Sequence, residues 1–161
     1  MNPHIRPATA DDVTEIIELI HELAAYEKEP DAVKLTAERL HQQLFGSDAA
    51  LYALVSDSPE PDQRIDGIAI WFLNYSTWEG THGIYLEDLY VRPSARGTGK
   101  GKALLQELAR IAAHRGYSRV EWSVLKWNQP AIDFYRSVGA EAMSEWDTFR
   151  LTGPALRDFS R

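Results

Sequence analysis

Three observations predict an α/β fold for this chain. Apolar residues recur at the helical period up to Gly46, three β-branched and aromatic runs then follow one another with only turns between them, and from Ile84 onward strand and helix alternate. Consecutive β runs form a meander, whereas a strand-helix-strand crossover requires parallel neighbours. The central sheet is therefore predicted to be mixed, mostly antiparallel, and flanked by helices. A length of 161 residues, 44% of them hydrophobic, suits a single domain over residues 1–161.

A short strand is predicted over Ile5–Ala8. Thr9 is a good N-cap with Asp12 three residues on, and Val13, Ile16, Ile17, Ile20, Leu23 and Ala24 keep the helical period until about Tyr26-Glu27. Beyond Pro30, Thr36 caps a short helix carrying Leu40 and Leu44, which Gly46 closes. Leu51–Val55, Ile65–Leu73 and Ile84–Val91 read as strands, and Ser58-Pro59-Glu60-Pro61-Asp62 between the first two is a turn by composition. A Gly-rich turn then enters a helix from about Gly99 to His114, with Leu104, Leu108, Ile111 and Ala112 on one face and Gly116 as its stop. Arg119–Val124 is predicted as a strand. Asn128-Gln129-Pro130 opens a helix to Gly139, since proline is tolerated in a first turn, and Ala142–Leu151 is predicted to supply one or two last strands.

The balance of 17 Lys+Arg against 24 Asp+Glu, a net charge of -7, argues against a broad basic surface for nucleic acid and favours cationic partners. No apolar run approaches the roughly 20 residues of a membrane span, and Met1–Pro7 lacks the basic-then-apolar profile of a signal peptide. A soluble, cytoplasmic protein is expected, with neither nucleic acid nor membrane as partner. There is no cysteine, so disulfides, thiolate metal sites, Fe-S clusters and an acyl-cysteine intermediate are excluded. His4, His21, His41, His82 and His114 are scattered without metal-ligand spacing, and no metal is expected.

The segment Arg96-Gly97-Thr98-Gly99-Lys100-Gly101-Lys102 leaves a strand and enters a helix. Its glycines remove Cβ atoms that would obstruct a ligand, so backbone N–H groups converge on an anion at the positive end of the helix dipole, and Arg96, Lys100 and Lys102 add charge. Taken alone, the glycines also read as a tight strand-to-helix turn. A Walker A loop ending at Gly101-Lys102 fails at Arg96, where glycine is required, and at Ala103, where Ser or Thr is required. A dinucleotide fingerprint starting at Gly97 fails at Lys102.

What fits is Arg96-x-x-Gly99-x-Gly101, which resembles the Q/R-x-x-G-x-G/A signature of the GNAT superfamily of N-acetyltransferases. Ile5-Arg6-Pro7-Ala8-Thr9, Tyr26-Glu27, Tyr85-Leu86-Glu87-Asp88 and Trp127-Asn128-x-Pro130-x-Ile132-x-Phe134-Tyr135 look like the diamine (spermidine/spermine) acetyltransferase subfamily, which also contains enzymes acting on thialysine. The likeness spans nearly the whole chain and implies the GNAT fold. Tyr75–Gly80 and the tail after Leu151 match more loosely. By resemblance, acetyl-CoA as co-substrate lies against the backbone of Leu89, Tyr90 and Val91, on the loop Arg96, Gly97, Thr98, Gly99, Lys100, Gly101 and Lys102, and beside Asn128, Gln129, Pro130 and Ala131. Tyr135 corresponds to the general acid. Tyr26, Glu27, Glu87, Glu121, Trp122 and Ser123 correspond to amine-site positions. The resemblance also implies a homodimer.

Acyl transfer needs a neutral amine, yet an alkylammonium has a pKa of about 10.4. Glu87, on the strand before the loop, is the candidate to bind the cation and take part in its deprotonation, unless it is an ordinary strand-edge carboxylate. Strand alternation puts Asp88 on the opposite face, as a structural residue. With no cysteine, direct transfer in a ternary complex is the simplest route, and a phenol of pKa about 10 suits protonation of a leaving thiolate of pKa about 8.5. Tyr135 takes that role by resemblance, whereas a Phe-Tyr pair on a helix otherwise reads as packing. Trp78, in a predicted loop, is the candidate to line the substrate mouth. Alternative functions are a protein lysine or N-terminal acetyltransferase and a non-catalytic acyl-CoA-binding module.

Overall fold

The computed structural model describes residues 4–161; Met1-Asn2-Pro3, the start of the stretch read above for a signal sequence, lies outside them. The described residues divide after Ser123 into two units. In the first, β1 (Ile5–Pro7), β2 (Tyr52–Asp57), β3 (Ile65–Ser76), β4 (Thr81–Val91) and β5 (Val120–Glu121) form one sheet in chain order. The first four strands are antiparallel, and β4 and β5 are parallel across the helical crossover α3 (Lys100–Arg115). This is the mixed sheet expected from the alternation of elements.

α1 (Val13–Tyr26) begins where a short 3-10 turn over Ala10–Asp12 is fixed by Asp12, whose carboxylate accepts the Thr9 N–H at 2.8 Å. It ends in a Schellman arrangement. The Lys28 N–H donates to the Ala25 carbonyl and the Glu29 N–H to that of Ala24, with Lys28 at φ +68°, a conformation usually left to glycine. α2 (Ala37–Phe45) is capped by the Thr36 hydroxyl, which accepts the Arg39 N–H at 3.2 Å.

Residues of β3 at alternate positions face opposite layers. Ile68 and Ile70 join Val13, Ile16, Leu19, Leu40 and Tyr90 in the core beneath α1 and α2. On the other face, a Cβ added to Gly67 would approach Leu104 of α3 to 3.2 Å. Both faces are covered, which is why Ile65–Trp71 is buried without a polar alternation. Arg92, where the chain leaves β4, ties α1 to the sheet. Its guanidinium donates to Glu22 at 3.1 Å, to Glu15 at 3.3 Å and to the Ile65 carbonyl at 3.2 Å.

Two bulges interrupt the ladders. Ser56 pairs with Gly67 and Asp57 with Ile65, which makes Asp66 an extra residue on β3; Ile70 pairs with Asp88 and Trp71 with Leu86, which makes Glu87 an extra residue on β4. Both extra residues are carboxylates.

The second unit contains α4 (Gln129–Ser137), capped by the Asn128 side-chain oxygen, which accepts the Ala131 N–H at 3.4 Å, and α5 (Gly153–Phe159). Two expectations need correction. The strand predicted over Arg119–Val124 shrinks to Val120–Glu121, and Ala142–Leu151, expected as strands, takes neither helix nor strand. A strand persists only where a neighbour completes its backbone ladder, and composition alone supplies no such neighbour. Among the described residues, no helix is long and apolar enough to cross a membrane.

Candidate active site

The loop between β4 and α3 leaves its glycine backbone open at the start of a helix. Gly97 and Gly99 sit at φ +80° and +83°, and a Cβ on either would meet no heavy atom within 4 Å, so their backbone borders open space. The first N–H groups of α3 have no partner inside the helix and lie at its positive end. A pyrophosphate fits this geometry. Around it, the Arg96 guanidinium lies 5.4 Å from the centroid of the Tyr26 ring and 5.5 Å from that of Tyr90, and its Nε donates to the Val91 carbonyl at 3.2 Å. Thr98 donates its hydroxyl to the Ala95 carbonyl, which tightens the turn.

Lys100 departs from its expected role. Its ammonium is bound to the Asp66 carboxylate and the Asp57 carbonyl, so only its backbone N–H is left to face an anion. Lys102 and Arg96 are the loop's remaining side-chain cations. A hollow of about 360 Å³ borders the same loop at Ala95, Thr98 and Lys100, reaching Asp57, Gln63 and Asp66.

Three carboxylates gather where α1 ends beside β4. Ile70 belongs to the core beneath α1, so its ladder partner Asp88 lies on that face, next to Glu87 in the chain and within reach of the Glu27 charge. Burial, reinforced by the negative charges of Glu87 and Glu27, pushes the Asp88 carboxyl up from 3.8 to about 7. Burial and the Glu87 charge also raise Glu27. Asp88 is the residue that sequence reasoning misplaced: simple alternation sets it opposite Glu87, and the bulge cancels that alternation. Neighbouring acids in one strand were the available signal. Among the described residues, no group of three or more His, Cys, Asp or Glu side chains is arranged to hold a metal ion.

Glu27 thus shares its charge environment with Glu87 and Asp88, and Tyr26, next to it at the end of α1, faces Arg96. Glu121 and Ser123 are engaged elsewhere. The Glu121 carboxylate accepts from Asn74 at 3.0 Å and pairs with Arg119 at 3.3 Å, and the Ser123 hydroxyl shares a 2.8 Å hydrogen bond with that of Tyr85. Trp122 is half-buried beside them. Trp78 stands at the β3-β4 hairpin tip, 89% exposed. In the second unit Tyr135 lies on α4, its ring 5.5 Å from that of Phe134, while Asn128 caps that helix and Gln129 donates to Asp133 at 2.7 Å.

Comparison with known proteins agrees with this geometry. The model of the acetyltransferase (GNAT) family matches residues 14–140. The chain is 38% identical to a thialysine N-epsilon-acetyltransferase of Bos taurus, over 97% of this chain and 96% of that protein. It is 37% identical to a spermidine/spermine N(1)-acetyltransferase-like protein 1 of Homo sapiens, over 97% of this chain and 23% of that protein. Among solved structures, an integron cassette protein from the mobile metagenome of V. cholerae superposes with a TM-score of 0.79 at 25% identity, covering 98% of this chain and 96% of the other. Because the family model spans most of the chain and a relative matches it nearly from end to end, the chain belongs to the GNAT acetyltransferase family.

Proposed function

We propose that this protein transfers the acetyl group of acetyl-CoA to a primary amine of a small cationic acceptor, a polyamine or a lysine-like amino acid such as thialysine, by direct attack in a ternary complex. The observation that carries the proposal is the Glu27-Glu87-Asp88 cluster on the strand that runs into the phosphate cradle. Three mutually repelling carboxylates attract an ammonium, and its charge relieves their repulsion.

Asp88, poised near neutrality, accepts the proton that the ammonium must lose, while Glu27 and Glu87 hold the cation. The freed amine nitrogen forms a bond to the acetyl carbon as the carbon-sulfur bond breaks, the departing thiolate takes the phenol proton of Tyr135, and the proton that the new amide nitrogen sheds returns through solvent to the phenolate. Backbone groups of Leu89, Tyr90 and Val91 and the loop Arg96–Lys102 orient the co-substrate. Asn128, Gln129, Pro130 and Ala131 border it. Trp78 lines the acceptor's approach, and Glu121, Trp122 and Ser123 are assigned to the border of the acceptor site by the family resemblance, Glu121 being held there by Asn74 and Arg119 and Ser123 by Tyr85. The two units act as one domain, a reading supported by a family match that runs across their boundary.

The protein works as a cytoplasmic homodimer. Phe149 is 94% exposed and Met143, Trp146 and Phe159 are mostly exposed, in and after a segment of strand-like composition that has no strand structure. A second copy covers that apolar material.

The test is coenzyme A release from acetyl-CoA with thialysine, lysine, ornithine, spermidine, spermine, putrescine and a lysine-containing peptide, each product identified by mass. Turnover on one or more of the free amines, reduced in Tyr135→Phe with coenzyme A affinity retained, is expected. Turnover on the peptide alone makes the protein a protein acetyltransferase. Coenzyme A binding with no turnover on any acceptor makes it a binding module.

A further inference from the structure

The phosphate loop connects two points, Arg92 at the end of β4 and Lys100 at the start of α3, and both are held by one residue. The Arg92 N–H donates to the Asp66 carbonyl at 2.8 Å, and the Lys100 ammonium binds the Asp66 carboxylate. Asp66 is the extra residue of the β3 bulge, which sends its side chain to the α3 side of the sheet together with the neighbouring Gly67. Its other oxygen accepts the Ser56 hydroxyl at 2.6 Å, and the Asp57 carbonyl completes the ammonium's contacts at 2.8 Å. Gly67 is required for this arrangement, because a Cβ there would stand 2.6 Å from the Ser56 oxygen.

The charges involved lie deep in the protein: the side chains of Asp66 and Lys100 are 2% and 14% exposed. A lysine at the first position of a helix opposes the helix dipole, and a buried carboxylate without a partner is more costly still, so each charge stabilises the other. The Lys100 charge is thereby withdrawn from the anion cradle, and its stem becomes a strut between α3 and β3.

We propose that Asp66 is the positioning residue of the phosphate loop: its backbone fixes where the loop leaves the sheet and its carboxylate, through Lys100, fixes where the loop becomes helix. The inference rests on the reading of that loop as the pyrophosphate site. Pinning both ends sets the separation of the N–H groups in the cradle, and a displacement of about 1 Å in such a constellation costs on the order of a hundredfold in the worst case. Buried charge pairs contribute little net stability compared with an apolar pair of similar volume, which separates positioning from folding.

The experiment compares coenzyme A binding by calorimetry, thermal unfolding and the KM values for acetyl-CoA and amine in the parent, Lys100→Met and the double variant Asp66→Val/Lys100→Ile. Lys100→Met is expected to lower the melting temperature and weaken coenzyme A binding about tenfold. The double variant is expected to melt at or above the parent temperature while still binding coenzyme A about tenfold more weakly, with the amine KM unchanged. Parental coenzyme A affinity in a folded double variant overturns the inference and leaves the phosphate-loop reading intact. A parent protein that binds no coenzyme A overturns that reading, and the inference with it.

Discussion

Glu87 and Asp88 are consecutive on β4, yet Asp88 stands opposite Ile70 while Leu86 stands opposite Trp71, so Glu87 is the residue left over between two ladder pairs. A bulge of this kind concentrates acids. Without it Asp88 would share a face with Leu86 and be separated from Glu87 by the sheet; with it, Asp88 turns toward α1 and meets the charges of both Glu87 and Glu27.

The first consequence concerns the rate. A base whose carboxyl sits at about 7 is ionised only above that pH, so kcat/KM for the amine should rise through about pH 7. Asp88→Asn should lower kcat/KM on the order of a hundredfold or more and erase that limb of the profile. An unchanged limb in the variant would assign the titration, and the proton, to another group.

The same residue makes a prediction about stability with the opposite sign. Asp88 holds its proton in the folded protein up to about pH 7 but releases it near 3.8 when unfolded. The folded state therefore binds the extra proton, and stability falls as pH rises through this window. Asp88→Asn should gain on the order of 2 kcal/mol near pH 8 and little near pH 4, as read by urea unfolding at both values. Equal gains at both pH values would mean that the benefit is packing, with no link to the charge.

Much of this was legible in the sequence, and the limits have physical causes. Thr9, Thr36 and Gly116 mark helix ends through local chemistry, and the structure ends its helices there. Gly97 and Gly99 marked a left-handed turn between strand and helix, because few other residues take their φ values. The bulges at Asp66 and Glu87 were hidden, since a bulge is a property of two paired strands and a sequence displays one strand at a time. The Lys100-Asp66 pair was hidden likewise, its partners being 34 residues apart. Ala142–Leu151 carried a strand-like composition, but pairing is decided by the neighbour.

Gly99→Ala tests the cradle itself. At φ +83° an alanine strains the backbone by about 1 kcal/mol, and the added Cβ meets no protein atom, so the fold should survive. That methyl enters the space assigned to the pyrophosphate. Coenzyme A affinity should drop well beyond the small loss in stability, and equal, minor changes in both would place the phosphates elsewhere.

Arg6 and Asp12 fix the other end of α1. Arg6 donates to Asp12 at 2.7 and 3.0 Å, and Arg64 at 3.3 Å. Burial alone would raise the Asp12 carboxyl, but the Arg6 and Thr9 hydrogen bonds outweigh it and hold the group at about 2. A depressed value in the folded state contributes stability above the unfolded value of 3.8, which is lost as pH falls toward 2. Arg6→Met leaves a buried carboxylate short of its main partner and should cost about 3 kcal/mol at neutral pH, measured by urea unfolding. A loss below about 1 kcal/mol would show that Arg64 suffices.

Arg96 joins the two halves of the proposed chemistry. Its Nε is anchored on the Val91 carbonyl, and its guanidinium lies over Tyr26, the last residue of α1, immediately before Glu27. The contact therefore links the phosphate loop to the carboxylate cluster. A cation over an aromatic face contributes about 0.5 to 2 kcal/mol, so Arg96→Gln should raise the amine KM about three- to tenfold in addition to its effect on acetyl-CoA. Tyr26→Leu removes the aromatic face and should raise both KM values too. If the two residues act through each other, the double variant is little worse than the poorer single one, because the second substitution has no contact left to remove. Additive losses in kcat/KM would mean that Arg96 serves the phosphates and Tyr26 the amine independently, with no coupling through the ring.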